Sequence, residues 1–413
     1  MRILYFATTA FFSRPNPSFH LMYGMIADLL DAGHVVNYVG LKRLDLDKHI
    51  PEEFRLHPNF HYRLVDFQPG NRSNFVLRYL KGVIYALKAK KHIKFYVPQS
   101  DVIFLQSSPT VLYNVVVAKS CSKGVRLIWN VQDMFPGSSI ASGVMKNKLL
   151  QNIFFGLQKI AYKKTDMIVG ISEDMRIKLW EQGVQDGKIR VILNWYDDKA
   201  VHYVPWGENR FVKKYKMTRS EFYVQYAGTM GYVFDYKSVL NVAEQLRHRT
   251  DIVFQMIGAG SQKEVFMQEA NKRGLTNIRF YPLEPQEMVS DVYSACDICF
   301  IPLKHGIIGN SVPSKAGLLM ACHKPIVTSV DGGCKYAKEI NENGIGIACP
   351  DDQNQLIADA IVKLANNRDI CLSMGEKGYE YGKQLYSRTE NMRLYKQLFE
   401  KLSNGTFDKP SEQ

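Results

Sequence analysis

Short apolar runs alternate with longer amphipathic segments along almost the whole chain. Apolar runs of this length, separated by segments with helical spacing, are typical of buried parallel strands joined by crossover helices. The predicted strands fall at 1–7, 35–39, 102–106, 126–131, 167–171 and 189–193, and again at 222–227, 252–257, 278–281, 298–302, 325–329 and 346–348. The two sets predict two doubly wound α/β domains.

The stretch 195–221 is polar, aromatic and charged, and it lacks clear periodicity. We expect it to link an N-terminal domain at 1–194 to a C-terminal domain at 222–385. Helical spacing of apolar residues returns near the end of the chain, and we expect a helix at 386–402 that packs back on the first domain. A length of 413 residues fits two such domains.

The composition, 46% hydrophobic and 23% charged, is that of a soluble globular protein. No window holds the ~18 apolar residues of a membrane-spanning helix, and "MRILYFATTAFF" fits a buried first strand better than a secretion signal. The seven cysteines are scattered among apolar residues, which predicts reduced thiols in a cytoplasmic protein. Cys296 and Cys299 form a C-x-x-C without a second pair, so a buried strand is favoured over a metal or redox site.

The formal charge of +13 predicts an anionic partner: a nucleic acid, a phosphorylated small molecule or an anionic membrane. No recognised nucleic-acid module accompanies the charge, which disfavours nucleic acid. The segment 75–97 carries an apolar stripe among basic residues, which suits an anionic membrane surface, although a core-facing helix with a solvated basic side explains it equally well. The stripe comprises Leu77, Leu80, Ile84 and Leu87, and the basic residues are Arg78, Lys81, Lys88, Lys90, Lys91 and Lys94.

Glycines mark the ends of two predicted strands in the second half. Gly228, Thr229 and Gly231 lie in "YAGTMG", and Gly258 and Gly260 lie in "IGAG". Glycines let the backbone approach a ligand closely, and a helix start favours phosphate, but an ordinary tight turn has the same residues. The second motif lacks the third glycine of a dinucleotide fingerprint, which disfavours nicotinamide or flavin.

The stretch "GNSVPSKAGLLMA" places Ser311, Ser314 and Lys315 before a predicted buried helix. Hydroxyl and backbone donors beside a compact cation suit a diphosphate. The alternative is that Ser314 caps the helix while Lys315 is solvated.

Polar residues also follow two strands of the first half. Gln132 and Asp133 lie in "NVQDMFP", and Ser107 and Ser108 in "FLQSSP", at the carboxyl edge where doubly wound sheets bind ligands. A carboxylate at this position orients or deprotonates an acceptor hydroxyl, unless it serves only a local turn. The Asp45-x-Asp47 pair lacks a third ligand, and a solvated helix start is the favoured interpretation.

With these motifs in this order, nearly the whole chain resembles the bacterial glycosyltransferases of family 4, which have the GT-B fold, two Rossmann-like domains facing each other across a cleft. The resemblance rests on "LLDAGHVVNYVG", "NVQDMFP", "IVGISEDMRIKLWEQGV", "VILNW", "YAGTMG", "MIGAGSQKEVF", "NIRFYPLEPQEMVSDVYSACDICFIPL" and "NSVPSKAGLLMACHKPIV". The chain looks most similar to the branch that builds O-antigen, capsule or colanic-type polysaccharides, in which a "PSK" loop replaces a glycine-rich one.

The resemblance implies a retaining transfer without a metal or other cofactor. It implies a nucleotide sugar donor, preferably UDP-linked, with an N-acetylated hexosamine or deoxyhexosamine. The acceptor would be a lipid-linked oligosaccharide, and the enzyme would be cytoplasmic and peripheral at the inner face of the cell membrane.

The resemblance also assigns residues. The backbone of Tyr281, Pro282, Leu283 and Glu284 would meet the base, Gly228 to Gly231 and Lys315 the diphosphate, and Asn310, Ser311 and Val312 the sugar. Asp133 would face the acceptor.

Two departures from the family pattern stand out. Asn310 and Leu318 occupy the positions of two common glutamates, and Leu318 cannot hydrogen-bond a ribose. Met230 and roughly Asp235 replace the usual Arg and Lys, so Lys315 would carry more of the phosphate charge, with Arg14 of the other domain as a candidate helper. A nucleotide-sugar 2-epimerase on the same fold and a non-catalytic basic membrane-surface protein are the alternatives.

Overall fold

The alternating apolar runs fold into two parallel sheets, each flanked by helices. The computed structural model describes residues 1–8, 10, 11, 19–43, 47–67, 75–106 and 111–403, with the backbone alone at 75–78 and 111–112. The chain divides into a first unit of Met1–Pro136, Asn147–Leu193 and Asn391–Gln413 and a second unit of Gly137–Lys146 and Asn194–Glu390.

The first unit contains a seven-stranded parallel sheet in the order β3-β2-β1-β4-β5-β6-β7. Its strands are β1 (Arg2–Phe6), β2 (Val35–Arg43), β3 (Phe60–Phe67), β4 (Val102–Gln106), β5 (Arg126–Asn130), β6 (Met167–Gly170) and β7 (Ile189–Val191). The helices in chain order are α1 (Phe19–Asp31), α2 (Glu52–Arg55), α3 (Phe75–Tyr96), α4 (Val111–Cys121), α5 (Gly137–Ala141, in the second unit), α6 (Lys148–Lys164) and α7 (Glu173–Glu181).

The second unit contains a six-stranded parallel sheet in the order β10-β9-β8-β11-β12-β13. Its strands are β8 (Phe222–Thr229), β9 (Ile252–Ala259), β10 (Ile278–Tyr281), β11 (Ile298–Pro302), β12 (Ile326–Val330) and β13 (Gly346–Pro350). Its helices are α8 (Arg210–Tyr215), α9 (Tyr236–Gln245), α10 (Lys263–Lys272), α11 (Val289–Ser294), α12 (Ala316–Ala321), α13 (Lys335–Glu342), α14 (Asn354–Ala365) and α15 (Arg368–Leu385), and α16 (Arg388–Ser403) returns to the first unit from Asn391 onward.

Both sheets have the strand order of doubly wound folds, in which the third, second and first strands precede the fourth. The strands are apolar along nearly their whole length, because a parallel sheet is covered on both faces. All five residues of β4 and all five of β12 are buried. The predicted fold class, two Rossmann-like α/β domains, is therefore confirmed.

Consecutive aromatic residues of β1 show how the first sheet is covered. The ring of Phe6 lies 6.0 Å from that of Tyr85 in α3, whereas Tyr5 lies 5.1 Å from Phe104, which in turn contacts Tyr395 of α16 at 5.8 Å. Neighbouring side chains of a strand point to opposite faces. Helices α3 and α16 therefore pack on opposite faces of this sheet.

The twelve predicted strands are all present, and their ends differ from the predicted ones by at most four residues. Strand β3 was missed because its sequence, FHYRLVDF, is only partly buried at the edge of the sheet and forms no continuous apolar run. The stretch expected as a linker groups with the second unit and contains α8. Its Arg210 Nη2 lies 2.6 Å from Oδ2 of Asp291 in α11, a partner 81 residues away.

Candidate functional site

Strands β8 and β9 end side by side at three glycines with positive φ. The φ angles are +143° at Gly228, +136° at Gly258 and +154° at Gly260, values that side chains rarely tolerate. A β-carbon on Gly258 would overlap the carbonyl of Gly228, and one on Gly260 would overlap the carbonyl of Met230. Gly258 and Gly260 are therefore needed for the close approach of two chain segments, whether or not a ligand binds there.

Lys315 places a buried cation against the end of β8. Its Nζ lies 3.4 Å from the ring centroid of Tyr226 and would be 2.9 Å from a β-carbon on Gly228. The Lys315 side chain is partly exposed, but its Nζ is buried and has no hydrogen-bond partner among the described residues. Burial lowers the pKa of Lys315 to about 7, a shift that the nearby Cys299 thiol opposes. The alternative prediction from the sequence, that Lys315 is solvated, is therefore wrong.

A buried ammonium without a hydrogen-bond acceptor is energetically costly, and an anion beside it would relieve that cost. The helix that follows, α12, has six residues, and no side chain caps its start, so Ser314 is not the helix cap that the sequence allowed. Ser314 is exposed, whereas Ser311, Val312 and Leu318 are partly buried. Lys315 is the one basic residue of the stretch 306–315.

The loop that leads to Lys315 is fixed by two polar side chains. Asp331, directly after β12, accepts hydrogen bonds from Gly306 N at 2.6 Å and from Ile308 N at 3.2 Å. Asn310 Nδ2 donates to Gly306 O at 2.8 Å, and Asn310 is 2% exposed. Its Oδ1 is buried and has no hydrogen-bond partner among the described residues. The sugar contact predicted for Asn310 would have to use this oxygen.

The carboxyl end of β10 is joined to that of β9 by a lysine. Lys263 Nζ donates to Gly258 O at 2.6 Å and to Tyr281 O at 2.9 Å. Pro282 and Leu283 follow and are exposed. These positions match the stretch that the sequence analysis assigned to the base, but Lys263 itself was missed, although its place in the first turn after the glycine-rich "IGAG" was a usable signal.

Helix α8 adds an aromatic wall beside β10. The rings of Phe211 and Tyr215 are 4.6 Å apart, and they lie 5.5 Å and 4.7 Å from the ring of Tyr281. Tyr215 Oη donates to Glu284 at 2.6 Å, and Lys214 Nζ lies 2.8 Å from the same carboxylate. Burial raises the pKa of Glu284, but these hydrogen bonds outweigh it and hold the pKa below its usual value. Glu284 is therefore an ionised anchor of α8.

Among the described residues, one group of side chains has the composition of a metal site: His305, Asp331 and Asp351. They follow the neighbouring strands β11, β12 and β13, and His305 Nδ1 lies 3.0 Å from each carboxylate. A cavity of ≈ 510 Å³ beside them is lined by Asp235, Lys304, His305, Gly332, Pro350, Asp351 and Asp352. His305 is 85% exposed, and Asp331 already binds two backbone N–H groups, so the group is explained as a brace of the loop.

In the first unit, Gln132 and Asp133 lie just beyond β5, as predicted. Gln132 Nε2 donates to Asn130 Oδ1, and Asn130 Nδ2 donates to Tyr395 Oη, each at 2.8 Å. Asp133 is exposed at this edge of the sheet. The other acceptor-side candidates, Arg14, Ser107 and Ser108, lie outside the described residues, as does Asp45.

The apolar stripe of α3 faces away from the sheet. Leu80, Ile84 and Leu87 are 53%, 52% and 58% exposed, whereas Tyr85 and Ile93 on the other side of the helix are buried. The interpretation of this stripe as core-facing is therefore wrong. In the described part of the chain, no helix combines the length and the apolar character required to cross a bilayer.

Two family models match the chain: "Glycosyltransferase Family 4" at residues 22–200 and "Glycosyl transferases group 1" at residues 208–381. A relative in Pseudomonas aeruginosa, named as a probable glycosyltransferase, WbjE, is 25% identical over 74% of this chain and 76% of its own. WcaI of Escherichia coli K12, named as a colanic acid biosynthesis glycosyl transferase, is 21% identical over 52% of this chain and 55% of its own.

The crystal structure of HepE from Anabaena in complex with UDP and glucose has a TM-score of 0.69 to this chain at 14% identity. The match covers 96% of this chain and 99% of HepE. At this identity the likeness concerns the fold, and it extends over both units.

Proposed function

The chain belongs to family 4 of the glycosyltransferases and has the GT-B fold, and from this premise we propose that it is a retaining enzyme with a UDP-sugar donor. The sugar is an N-acetylated hexosamine or a deoxyhexosamine, and the acceptor is a lipid-linked saccharide in the synthesis of O-antigen or a related surface polysaccharide. The relative named for colanic acid biosynthesis supports the product class, and the UDP-bound structural neighbour supports the donor.

One observation carries the donor half of the proposal, the buried Lys315 ammonium against the glycine end of β8. Negative charge builds up on the leaving diphosphate as the glycosidic bond breaks. A cation held away from water acts on that charge more strongly than a solvated one, and it does so most in the transition state. Lys315 would therefore bind the diphosphate and stabilise its departure.

The nucleoside would lie at the carboxyl ends of β9 and β10. Exposed Pro282 and Leu283 offer backbone groups for the base edge, and the rings of Phe211, Tyr215 and Tyr281 form an apolar wall near them. Lys263 neutralises the carbonyls of Gly258 and Tyr281, which would otherwise repel a phosphate. Ser311, Val312 and Asn310 Oδ1 would approach the sugar.

The acceptor would use the exposed carboxylate of Asp133 beyond β5, which orients its attacking hydroxyl. No metal ion takes part. A lipid-linked acceptor requires a peripheral enzyme at the cytoplasmic face of the membrane, and the outward apolar stripe of α3 among its lysines suits that place.

A thermal-shift panel of UDP, GDP, CMP and dTDP tests the donor assignment. A nucleotide at about 100 times its Kd stabilises the native state by about 2.7 kcal/mol, so UDP should raise Tm clearly and the others less. Lys315→Gln should abolish the UDP shift, while Lys237→Gln, at an exposed lysine of the same unit, should preserve it. Failure of all four nucleotides to raise Tm would refute the proposed donor class.

A further inference from the structure

The net charge of the chain is concentrated in one segment. Residues 68–165 contain 15 lysines and arginines but only two carboxylates, Asp101 and Asp133, whereas the rest of the chain has 38 basic and 38 acidic residues. The segment therefore carries the whole formal charge of +13. Within it, α4 packs against both α3 and α6 in the first unit.

Helix α6 exposes aliphatic side chains among its lysines. Gln158 and Tyr162 are buried, whereas Leu149, Ile153 and Ile160 are 69%, 48% and 44% exposed. Intervals of four and seven residues place these three aliphatic side chains on one stripe of the helix. A helix on the surface of a water-soluble protein normally turns its polar side outward, so this exposed aliphatic stripe indicates contact with an apolar partner.

The stripe of α6 has a counterpart on α3, formed by Leu80, Ile84 and Leu87. The two helices touch directly, because the ring of Tyr79 in α3 packs edge-on against Phe154 of α6 at 5.0 Å. We call Leu80, Ile84, Leu87, Leu149, Ile153 and Ile160 the α3/α6 face. Neither helix contains an acidic residue, and exposed lysines accompany both stripes: Lys88, Lys91 and Lys94 on α3, and Lys148, Lys159, Lys163 and Lys164 on α6.

The positive charge of the α3/α6 face favours an anionic bilayer over a second copy of the chain as its binding partner. A second copy bound by two-fold symmetry would set the same lysine-rich patch against itself, which is electrostatically unfavourable. An anionic bilayer accepts aliphatic side chains among its acyl chains, while lysine stems extend their ammonium groups to the phosphates. We infer that the α3/α6 face lies in the headgroup region of an anionic bilayer, with α6 inserting Leu149, Ile153 and Ile160.

This inference extends the proposed lipid-linked acceptor, but its test needs neither donor nor acceptor. The full chain is floated with vesicles of phosphatidylcholine alone and with an equimolar mixture of phosphatidylcholine and phosphatidylglycerol. The wild type should bind the mixed vesicles only, and added salt should weaken the binding. Replacing Leu149, Ile153 and Ile160 together by Gln should lower the partition coefficient at least about tenfold, as should the same change at Leu80, Ile84 and Leu87.

A matched control replaces three exposed aliphatic residues of the second unit, Val265, Leu356 and Leu372, by Gln, and it should bind like the wild type. Circular dichroism and Tm confirm that each variant is folded. Equal vesicle binding by the α6 variant and the wild type would overturn the inference. So would a wild type that binds neither kind of vesicle, or a wild-type dimer that dissociates in the α6 variant. UDP binding measured in parallel separates failure of this inference from failure of the proposed donor.

Discussion

A β-carbon on Gly228 would lie 2.9 Å from Nζ of Lys315, so the missing side chain at Gly228 is what leaves room for the buried ammonium. The same glycine has a φ of +143°, a conformation that residues with side chains rarely adopt. Backbone geometry and charge placement at this point depend on each other. Any change that fills the space must displace the cation.

Gly228→Ala should therefore impair both folding and donor binding. The φ angle alone should cost about 1–3 kcal/mol, and the methyl group should push Lys315 Nζ away from its place over the Tyr226 ring. Urea unfolding and UDP titration measure the two effects. Gly231→Ala is the matched stability control, because its β-carbon would meet only Thr229 Cγ2 at 3.6 Å. Equal stability of the two variants would contradict the argument.

Lys315→Met should stabilise the protein without ligand, and more so at low pH. The unfolded chain binds a proton at Lys315 up to pH about 10.4, whereas the native state releases it near pH 7 because burial disfavours the charge. The wild type therefore gains stability as pH rises from about 7 to 10, by at most about 1.4 kcal/mol per pH unit from this group.

The difference between the free energies of unfolding of Lys315→Met and the wild type isolates this contribution, since the other titrating groups cancel. It should be largest at pH 6 to 7, on the order of a few kcal/mol, and should shrink toward pH 10. Parallel stability curves for the two proteins would show that Lys315 is not buried as described.

The affinity for UDP should fall as pH rises above 7. Free wild-type protein then holds Lys315 mostly neutral, and a diphosphate favours its charged form, so binding must take up a proton. The Kd should rise by up to about tenfold per pH unit between pH 7.5 and 9. Calorimetry in two buffers of different ionisation enthalpy measures the number of protons taken up when UDP binds. A wild-type Kd that is flat in this range would count against a diphosphate beside Lys315, and Lys315→Gln should bind weakly at every pH.

The sequence was sufficient for the sheets because their strands are buried on both faces. Such strands are continuous apolar runs, as in 102–106 and 298–302, where the predicted and observed bounds agree. It was insufficient for β3, whose exposed positions break the run. The packing of residues 195–221 on the second unit also escaped prediction, because the ion pair between Arg210 and Asp291 joins positions 81 residues apart.

The candidate site divides in the same way. Lys315 was identified because a lysine among small polar residues before an apolar helix is a local pattern. The burial of Lys315 was not predictable, since it depends on Tyr226 of β8, which is distant from Lys315 along the chain. Lys263 and the α8 aromatic wall were missed for the same reason, because their contacts with Tyr281 form only in the fold. The sequence was therefore sufficient to identify residues with local patterns, but not the distant side chains that set their burial and hydrogen bonding.

Asp331 holds the loop between β11 and Lys315, because its carboxylate accepts hydrogen bonds from two backbone N–H groups of that loop. Asp331→Ala leaves both donors unpaired and should cost about 1–3 kcal/mol of stability. Donor Kd should rise as well, since the same loop carries Asn310 and Lys315. Asp351→Ala is the control: Asp351 shares His305 with Asp331 but accepts none of these loop N–H groups, so it should change stability and Kd little.

The two variants also distinguish a brace from a metal site. If His305, Asp331 and Asp351 held a divalent cation, then Asp331→Ala, Asp351→Ala and His305→Ala should weaken cation binding to a similar extent. EDTA should then lower the rate of sugar transfer as much as each substitution does. We expect instead that EDTA leaves transfer unchanged and that Asp331→Ala alone is impaired. Equal loss in all three variants, restored by added zinc or manganese, would replace the brace with a metal-dependent loop and would contradict the metal-free mechanism.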